Sequence, residues 1–271
     1  MKFIDIEESK IPALGFGTYN IRGKDCIEGV KDAISLGYRH IDTAQMYENE
    51  DEVGKGIQES EVSRTSLFLT TKVWYTNLKS KALQEAAHKS LRRLQTDYID
   101  LLLIHWPNDN VPLEESLEAM SKLKEEGKVK HIGVSNFTPA LIDEAIKLAP
   151  IICNQVEYHP YLDQSTLMQK MAQHKLFLTA YCPIAKGKVL EDEVLQEIGK
   201  KYNKTAPQIA LRWHMQQTDV AAIPRSSKRE RRKENLHVFD FELTSEEMQQ
   251  ISEKRGDNRM INPDWAPDWT C

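Results

Sequence analysis

Ile99-Asp-Leu-Leu-Leu-Ile-His105 is a largely apolar run without steady alternation, and it ends on a histidine. A strand buried on both faces takes that pattern, because neither face meets water. Leu113, Leu117 and Met120 follow at helical spacing, and Val129-Lys-His-Ile-Gly-Val134 returns to a second apolar run. Strand, amphipathic helix, strand is the unit from which parallel sheets are built.

The unit recurs on both sides. Upstream lie Leu14-Gly-Phe-Gly17, Arg39-His-Ile-Asp42 and Leu67-Phe-Leu-Thr-Thr-Lys-Val73. Downstream lie Ile151-Ile-Cys-Asn-Gln-Val156, Leu176-Phe-Leu-Thr-Ala-Tyr181 and Val220-Ala-Ala-Ile223. Helical stripes separate them. Ile27, Val30 and Ile34 share a face closed by Gly37 as a C-cap. Leu83, Ala87, Leu91 and Leu94 form the next, then Leu141, Ala145 and Leu148, then Leu167 and Met171. Two helices fit between Leu190 and Gln217, with Pro207 in the first turn of the second. Thr244-Ser-Glu-Glu247 reads as a capping box opening a last helix to Glu253. Eight strand–helix alternations define an α/β protein, for which a closed (β/α)8 TIM barrel is the natural solution. Periodicity alone leaves an open doubly wound sheet standing beside it.

The chain has 271 residues and a formal net charge of −5. It is long enough for a large core, and an acidic balance argues against nucleic acid as a partner. No apolar run reaches the length of a membrane span. Asp5, Glu7 and Glu8 near the start lack the apolar stretch of a signal peptide. Cys26, Cys153, Cys182 and Cys271 form no Cys-x-x-Cys pair, which suits a reducing cytoplasm. Without linker, repeat or low-complexity tract, residues 1–271 read as one domain. The segment from Arg255 to Cys271 is too aromatic for a disordered tail and is expected over the barrel.

In a parallel barrel, function sits at the C-terminal ends of the strands. Those ends are Gly17-Thr18-Tyr19, Asp42-Thr43, Lys72-Val73-Trp74, His105-Trp106, Ser135-Asn136, Gln155, Tyr181 and Pro224-Arg225-Ser226. Asp42 and Lys72 are expected to pair at the mouth, and Tyr47 follows in the loop after Asp42. A nearby ammonium should lower the tyrosine pKa and make it a usable general acid. A neutral His105 beside it can orient a carbonyl oxygen. Protonating an alkoxide as it forms requires a hydride from elsewhere. Taken singly, each residue has a plain structural role: Lys72 in an ion pair, Tyr47 in a loop, His105 in the core, Asp42 as a helix cap. Their joint placement favours chemistry. No residue set has metal-ligand spacing.

Gly37-Tyr-Arg-His-Ile-Asp-Thr-Ala44, with Glu50, Val53 and Gly54 beyond it, resembles a long signature of the aldo-keto reductases. Gly15-Phe-Gly-Thr-Tyr19, Thr70-Thr-Lys-Val-Trp74, Leu103-Ile-His-Trp-Pro107, Gly133-Val-Ser-Asn-Phe137 and Asn154-Gln-Val-Glu-Tyr-His-Pro160 extend it in colinear order. Ile223-Pro-Arg-Ser226 with Arg231, Glu234 and Asn235 completes it. The resemblance implies a (β/α)8 barrel with an N-terminal β-hairpin, about Met1 to Ala13, capping its base, and a C-terminal tail over the mouth. It implies a catalytic set on Asp42, Tyr47, Lys72 and His105. It implies NADPH held extended across the mouth; the Gly15/Gly17 and Gly54/Gly56 pairs are not a dinucleotide fingerprint.

By the same resemblance, Ser135, Asn136 and Gln155 hold the nicotinamide carboxamide and Tyr181 stacks on the nicotinamide ring. Gly17, Thr18, Tyr19 and Asp42 border it, and the loop with Cys182, Pro183, Ile184 and Lys186 touches the pyrophosphate. Ile223, Pro224, Arg225, Ser226 and Arg231 hold the 2′-phosphate end, and Glu234 and Asn235 the adenine. Arginine suits a phosphate, although Lys228-Arg-Glu-Arg-Arg-Lys233 alone would read as a solvated helix face. Two positions depart from the family pattern: Arg225 stands where many members have lysine, and Cys182 where many have serine. Tyr19, Tyr47, Trp74, His105, Trp106 and Trp265 line the expected substrate pocket, which short loops leave open. Arg259-Met-Ile-Asn-Pro-Asp-Trp-Ala-Pro-Asp-Trp269 resembles the tail of the bacterial 2,5-diketo-D-gluconate reductase B and methylglyoxal reductase group. The expectation is reduction of 2-oxoaldehydes, keto-sugar acids and β-keto esters by a monomer. A general aldehyde or xylose-type reductase is the neighbouring alternative, and an NADPH-binding redox sensor or structural barrel the one from another class.

Overall fold

A computed structural model describes residues 1–7 and 9–269; Glu8 and Cys271 lie outside them. The chain starts as an antiparallel hairpin of β1 (Phe3–Ile6) and β2 (Ser9–Pro12), with Ile4 opposite Ile11. The hairpin closes the base of the barrel. Ser9 Oγ lies 2.7 Å from His131 Nε2, and the Pro12 carbonyl meets His40 Nδ1 at 3.2 Å. Both histidines sit near the starts of their strands.

Above it, strands and helices alternate: β3 (Phe16–Gly17), α1 (Gly23–Leu36), β4 (His40–Asp42), α2 (Glu50–Gln58), β5 (Phe68–Val73) and α3 (Ser80–Leu94). β6 (Ile99–Ile104), α4 (Leu113–Glu125), β7 (Val129–Ser135), α5 (Pro139–Leu148), β8 (Ile151–Glu157) and α6 (Ser165–Gln173) continue the series. The last part is β9 (Phe177–Tyr181), α7 (Glu193–Tyr202), α8 (Ala206–Gln216), β10 (Val220–Ala222), α9 (Arg229–Leu236) and α10 (Ser245–Ser252). The eight strands from β3 to β10 pair in parallel, each with its sequence neighbour. The ends of this sheet meet. Gly15 N–H donates to the Ala222 carbonyl at 2.8 Å, Ala222 N–H to that of Ala13 at 2.7 Å, and Gly17 N–H to that of Pro224 at 3.1 Å. The sheet is therefore a closed (β/α)8 barrel, not the open doubly wound sheet that periodicity allowed.

The apolar runs become strands because both their faces are covered: every residue of β5, β6 and β8 is buried. Val30, Ala33 and Ile34 of α1 are buried on the strand side, as their spacing requires. Gly37 ends that helix at φ 114°, a conformation with little penalty only for glycine. The expected Thr244–Glu247 capping box is present at α10, and a second joins Thr205 to Gln208 at α8. No described helix is long and apolar enough to cross a membrane.

Two helices escape the periodicity analysis. α2 carries Gly54 and Gly56, which depress helix propensity. They are explained by packing: a Cβ at Gly54 would stand 2.6 Å from backbone atoms of Arg93 and Leu94, and one at Gly56 2.8 Å from the Ile27 carbonyl. α9 contains six charged residues and little apolar surface, so it shows no stripe.

Candidate active site

β4 and β5 end side by side, which brings Asp42 and Lys72 to one point of the mouth. Lys72 Nζ donates to Asp42 Oδ1 at 2.6 Å, to the Thr43 carbonyl at 2.7 Å and to Tyr47 Oη at 3.3 Å. Lys72 is 0% exposed and Asp42 1%. Gln155 Nε2 donates to the other carboxylate oxygen, Oδ2, at 2.8 Å. Asp42 is thus bonded on both oxygens and is not a helix cap. Tyr47 ends a short 3-10 turn, Gln45–Tyr47. Gln45 ties that turn down: its Oε1 accepts from Trp74 N–H at 3.1 Å and its Nε2 donates to Ser90 Oγ at 3.1 Å.

Aromatic rings surround the tyrosine. Tyr19 meets it edge-on at 5.0 Å and His105 at 5.7 Å, while Trp74 meets His105 at 5.2 Å. Trp265 of the tail reaches Trp74 at 6.2 Å and stacks on Tyr75 at 5.7 Å. Trp106 is buried and pairs with Trp269 at 6.2 Å. Tyr75 and Trp269 join the aromatic set expected from the sequence, the first next to Trp74 and the second at the end of the tail motif. The tail lies over the mouth as expected.

The electrostatics correct one expectation. The tyrosine pKa is not lowered: burial, then the Asp42 carboxylate, hold it well above its ordinary value. Lys72 cannot reverse this, because its charge is neutralised at 2.6 Å by the same carboxylate. Burial lowers the Lys72 pKa and Asp42 opposes that fall. Burial and the Lys72 ammonium push His105 well below the usual histidine value, so its imidazole is neutral at physiological pH. Its Nδ1 is buried without a hydrogen-bond partner.

The remaining predicted positions form a rim. Ser135 Oγ donates to the Gln155 carbonyl at 2.8 Å, Asn136 Nδ2 to that of His105 at 2.9 Å, and Tyr181 Oη to Asn136 Oδ1 at 2.7 Å. Asn136 holds φ 64°, a left-handed conformation that asparagine tolerates. Gly17, Thr18, Ile223, Pro224 and Ser226 are buried near the junction of β3 and β10, and Asn235 is buried on α9. Thr18 Oγ1 donates to the Asp42 carbonyl at 3.0 Å. Arg225 is exposed, its Nε donating to the Tyr19 carbonyl at 3.2 Å. Arg231 and Glu234 are exposed on α9. Cys182, Pro183, Ile184 and Lys186 lie in the loop after β9, where Cys182, Ala185 and Lys186 all hold φ between 47° and 51°. Burial pushes the Cys182 thiol up to about 11, which leaves it inert near neutrality.

This rim fits an extended anionic dinucleotide. Among the described residues, no carboxylate pairs with Arg225, Lys228 or Arg231, whereas Arg229 and Arg232 are both held by Asp32. Three cations without a described carboxylate partner thus stand around the start of α9, and a helix N-terminus favours a phosphate. In the sequence Lys228 is indistinguishable from the rest of the Lys228–Lys233 charge run.

A buried lysine–carboxylate pair under a tyrosine and a neutral histidine, at the mouth of a (β/α)8 barrel, defines a class of carbonyl-handling oxidoreductase. The chain belongs to the aldo/keto reductase family, whose model matches residues 13–255. It is 42% identical over 265 residues to methylglyoxal reductase DkgB of Escherichia coli O157:H7, covering 96% of this chain and 99% of that one. It is 43% identical to the glyoxal reductase of Bacillus subtilis (strain 168), covering 94% and 93%. A crystal structure described as a 2,5-diketo-D-gluconic acid reductase B superposes with a TM-score of 0.97 at 46% identity, covering 99% and 97%.

Proposed function

We propose that this chain, as a single monomeric domain spanning residues 1–271 in a reducing cytoplasm, reduces small aldehydes and ketones with NADPH. The favoured substrates are 2-oxoaldehydes such as methylglyoxal, with keto-sugar acids and β-keto esters beside them. The observation that carries this is the contact of Lys72 Nζ with both Asp42 and Tyr47 Oη, with the His105 ring facing the same tyrosine. Relatives of similar length named for glyoxal and methylglyoxal reduction support the substrate class.

Bound NADPH supplies a hydride to the carbonyl carbon. The chain must bind the carbonyl oxygen and give it a proton. Tyr47 is the donor, and its raised pKa keeps the proton in place until an alkoxide forms. As Tyr47 Oη gives up that proton, the Lys72 ammonium at 3.3 Å stabilises the tyrosinate. Asp42 keeps Lys72 charged against burial. Neutral His105 offers an N–H to the carbonyl oxygen, fixing its direction without competing as an acid. Ser135, Asn136 and Gln155 would hold the carboxamide, Tyr181 the nicotinamide face, Cys182 to Lys186 the pyrophosphate, and Arg225, Ser226 and Arg231 the 2′-phosphate. Tyr19, Trp74, Trp106 and Trp265 would enclose the substrate, and uncharged aromatic walls suit small carbonyl compounds.

The test follows NADPH absorbance with methylglyoxal in wild type and Tyr47→Phe. Turnover should fall at least about a hundredfold in the variant, the usual scale for a lost general acid. NADPH affinity, read by protein fluorescence, should not change. Equal turnover in the two proteins would remove Tyr47 from the mechanism.

A further inference from the structure

Glu157 is the last residue of β8, two places beyond Gln155 and therefore on the same face of the strand. It is 0% exposed. Its carboxylate does not face the reacting groups. Oε1 accepts from the Met260 N–H at 2.8 Å, Oε2 from the Ile261 N–H at 2.9 Å, and His159 Nε2 stands 3.0 Å from Oε1. A buried carboxylate on two consecutive backbone N–H groups is a strong, directional clamp. The segment it holds is the C-terminal tail. Four residues after Ile261 comes Trp265, packed on Trp74 and Tyr75, and Trp74 in turn abuts His105. On its other side the clamp meets the loop after β9, since Lys186 Nζ donates to the Met260 carbonyl at 3.2 Å.

We propose, on the reductase reading above, that Glu157 is a positioning residue for substrate selection: it pins Met260 and Ile261 so that Trp265 forms the outer wall of the carbonyl pocket. Its strand is buried along its whole length and hydrogen-bonded to a neighbour on each side, which makes it a firm anchor, whereas the described tail crosses the mouth with no helix or strand of its own beyond residue 252. The clamp converts strand rigidity into a fixed distance between Trp265 and the His105–Trp74 wall. Gln155 and Glu157 thereby give one face of the strand two duties: Gln155 bonds Asp42 among the reacting groups, and Glu157, one step nearer the strand's end, bonds the tail.

Glu157→Gln keeps the size but removes the charge and one of the two acceptors. Hydrogen exchange of residues 260–269 should quicken by about tenfold, matching the loss of one charge-assisted bond. KM for methylglyoxal should rise by a similar factor, while kcat stays within about threefold and the NADPH Kd is unchanged. Trp265→Ala should reproduce the KM change, and the double variant should add little to it, because both act through one wall. A general loss of structure would instead lower kcat and NADPH binding together. If Glu157→Gln does not fold, Met260→Pro removes one clamp N–H from the tail side and carries the same expectations. Unchanged exchange at 260–269, or KM effects that multiply in the double variant, would overturn the proposal. Should wild type prove inactive with carbonyl compounds, the exchange data still decide the clamp, and only the reductase reading fails.

Discussion

Lys72→Met tests the centre of the site through stability rather than rate. The ammonium and the Asp42 carboxylate lie 2.6 Å apart at 0% and 1% exposure. Methionine has nearly the same length but no charge, so the carboxylate would stay buried with only the Gln155 amide at 2.8 Å to satisfy it. The Thr43 carbonyl would also lose its donor. Breaking a buried pair from one side costs about 3–5 kcal/mol. An exposed pair such as Arg22–Glu48, at 60% and 70% exposure, contributes about 0–1 kcal/mol. With a urea m-value of roughly 3 kcal/mol/M, the unfolding midpoint should fall by about 1 M. The assay is tryptophan fluorescence in urea. The double variant Asp42→Asn with Lys72→Met should recover most of the loss, because no charge remains buried. A midpoint shift below roughly 0.3 M for the single variant would put the pair in the exposed class and refute the reasoning. So would a double variant no more stable than the single one.

Burial lowers the pKa of His214, which is 0% exposed, to about 3 from 6.5, so the unfolded chain binds the extra proton between those values and stability drops as pH falls through 6.5. At pH 5 this one group should remove about 2 kcal/mol relative to pH 7.5, and His214→Gln should flatten that part of a urea-midpoint profile. Arg225→Ala and Arg231→Ala should each weaken NADPH binding about tenfold, from one lost charged hydrogen bond, and leave NADH binding unchanged in a fluorescence titration. Gly54→Ala places a Cβ 2.6 Å from backbone atoms of Arg93 and Leu94, which cannot rotate away; it should lower stability by about 1–3 kcal/mol in the same urea assay, and an unchanged midpoint would mean that α2 and α3 separate freely.

The residues best legible in the sequence are those whose environment is set locally. Ile99 to Ile104 is buried on both faces as its unbroken apolar run requires, and the ends of such runs are where Asp42, Lys72 and His105 stand. Barrel closure is less legible, because it rests on backbone groups of Ala13, Gly15 and Gly17 meeting those of Ala222 and Pro224, and backbone bonds leave no side-chain pattern in the sequence. α2 stayed hidden because Gly54 and Gly56 serve its neighbours rather than its own propensity.

The direction of the Tyr47 pKa is not legible in the sequence for a related reason. A lysine at the next strand end suggests a lowered value, but what matters is the net field at the phenol. Lys72 brings its own counter-charge, so the pair presents little net charge and burial decides the sign. Glu157 shows the same dependence on partners distant in sequence: its donors lie 103 and 104 residues further on. A charge at a strand end announces that something must neutralise it, and only the fold shows whether the partner is a reacting group, as at Asp42, or the chain's own tail, as at Glu157.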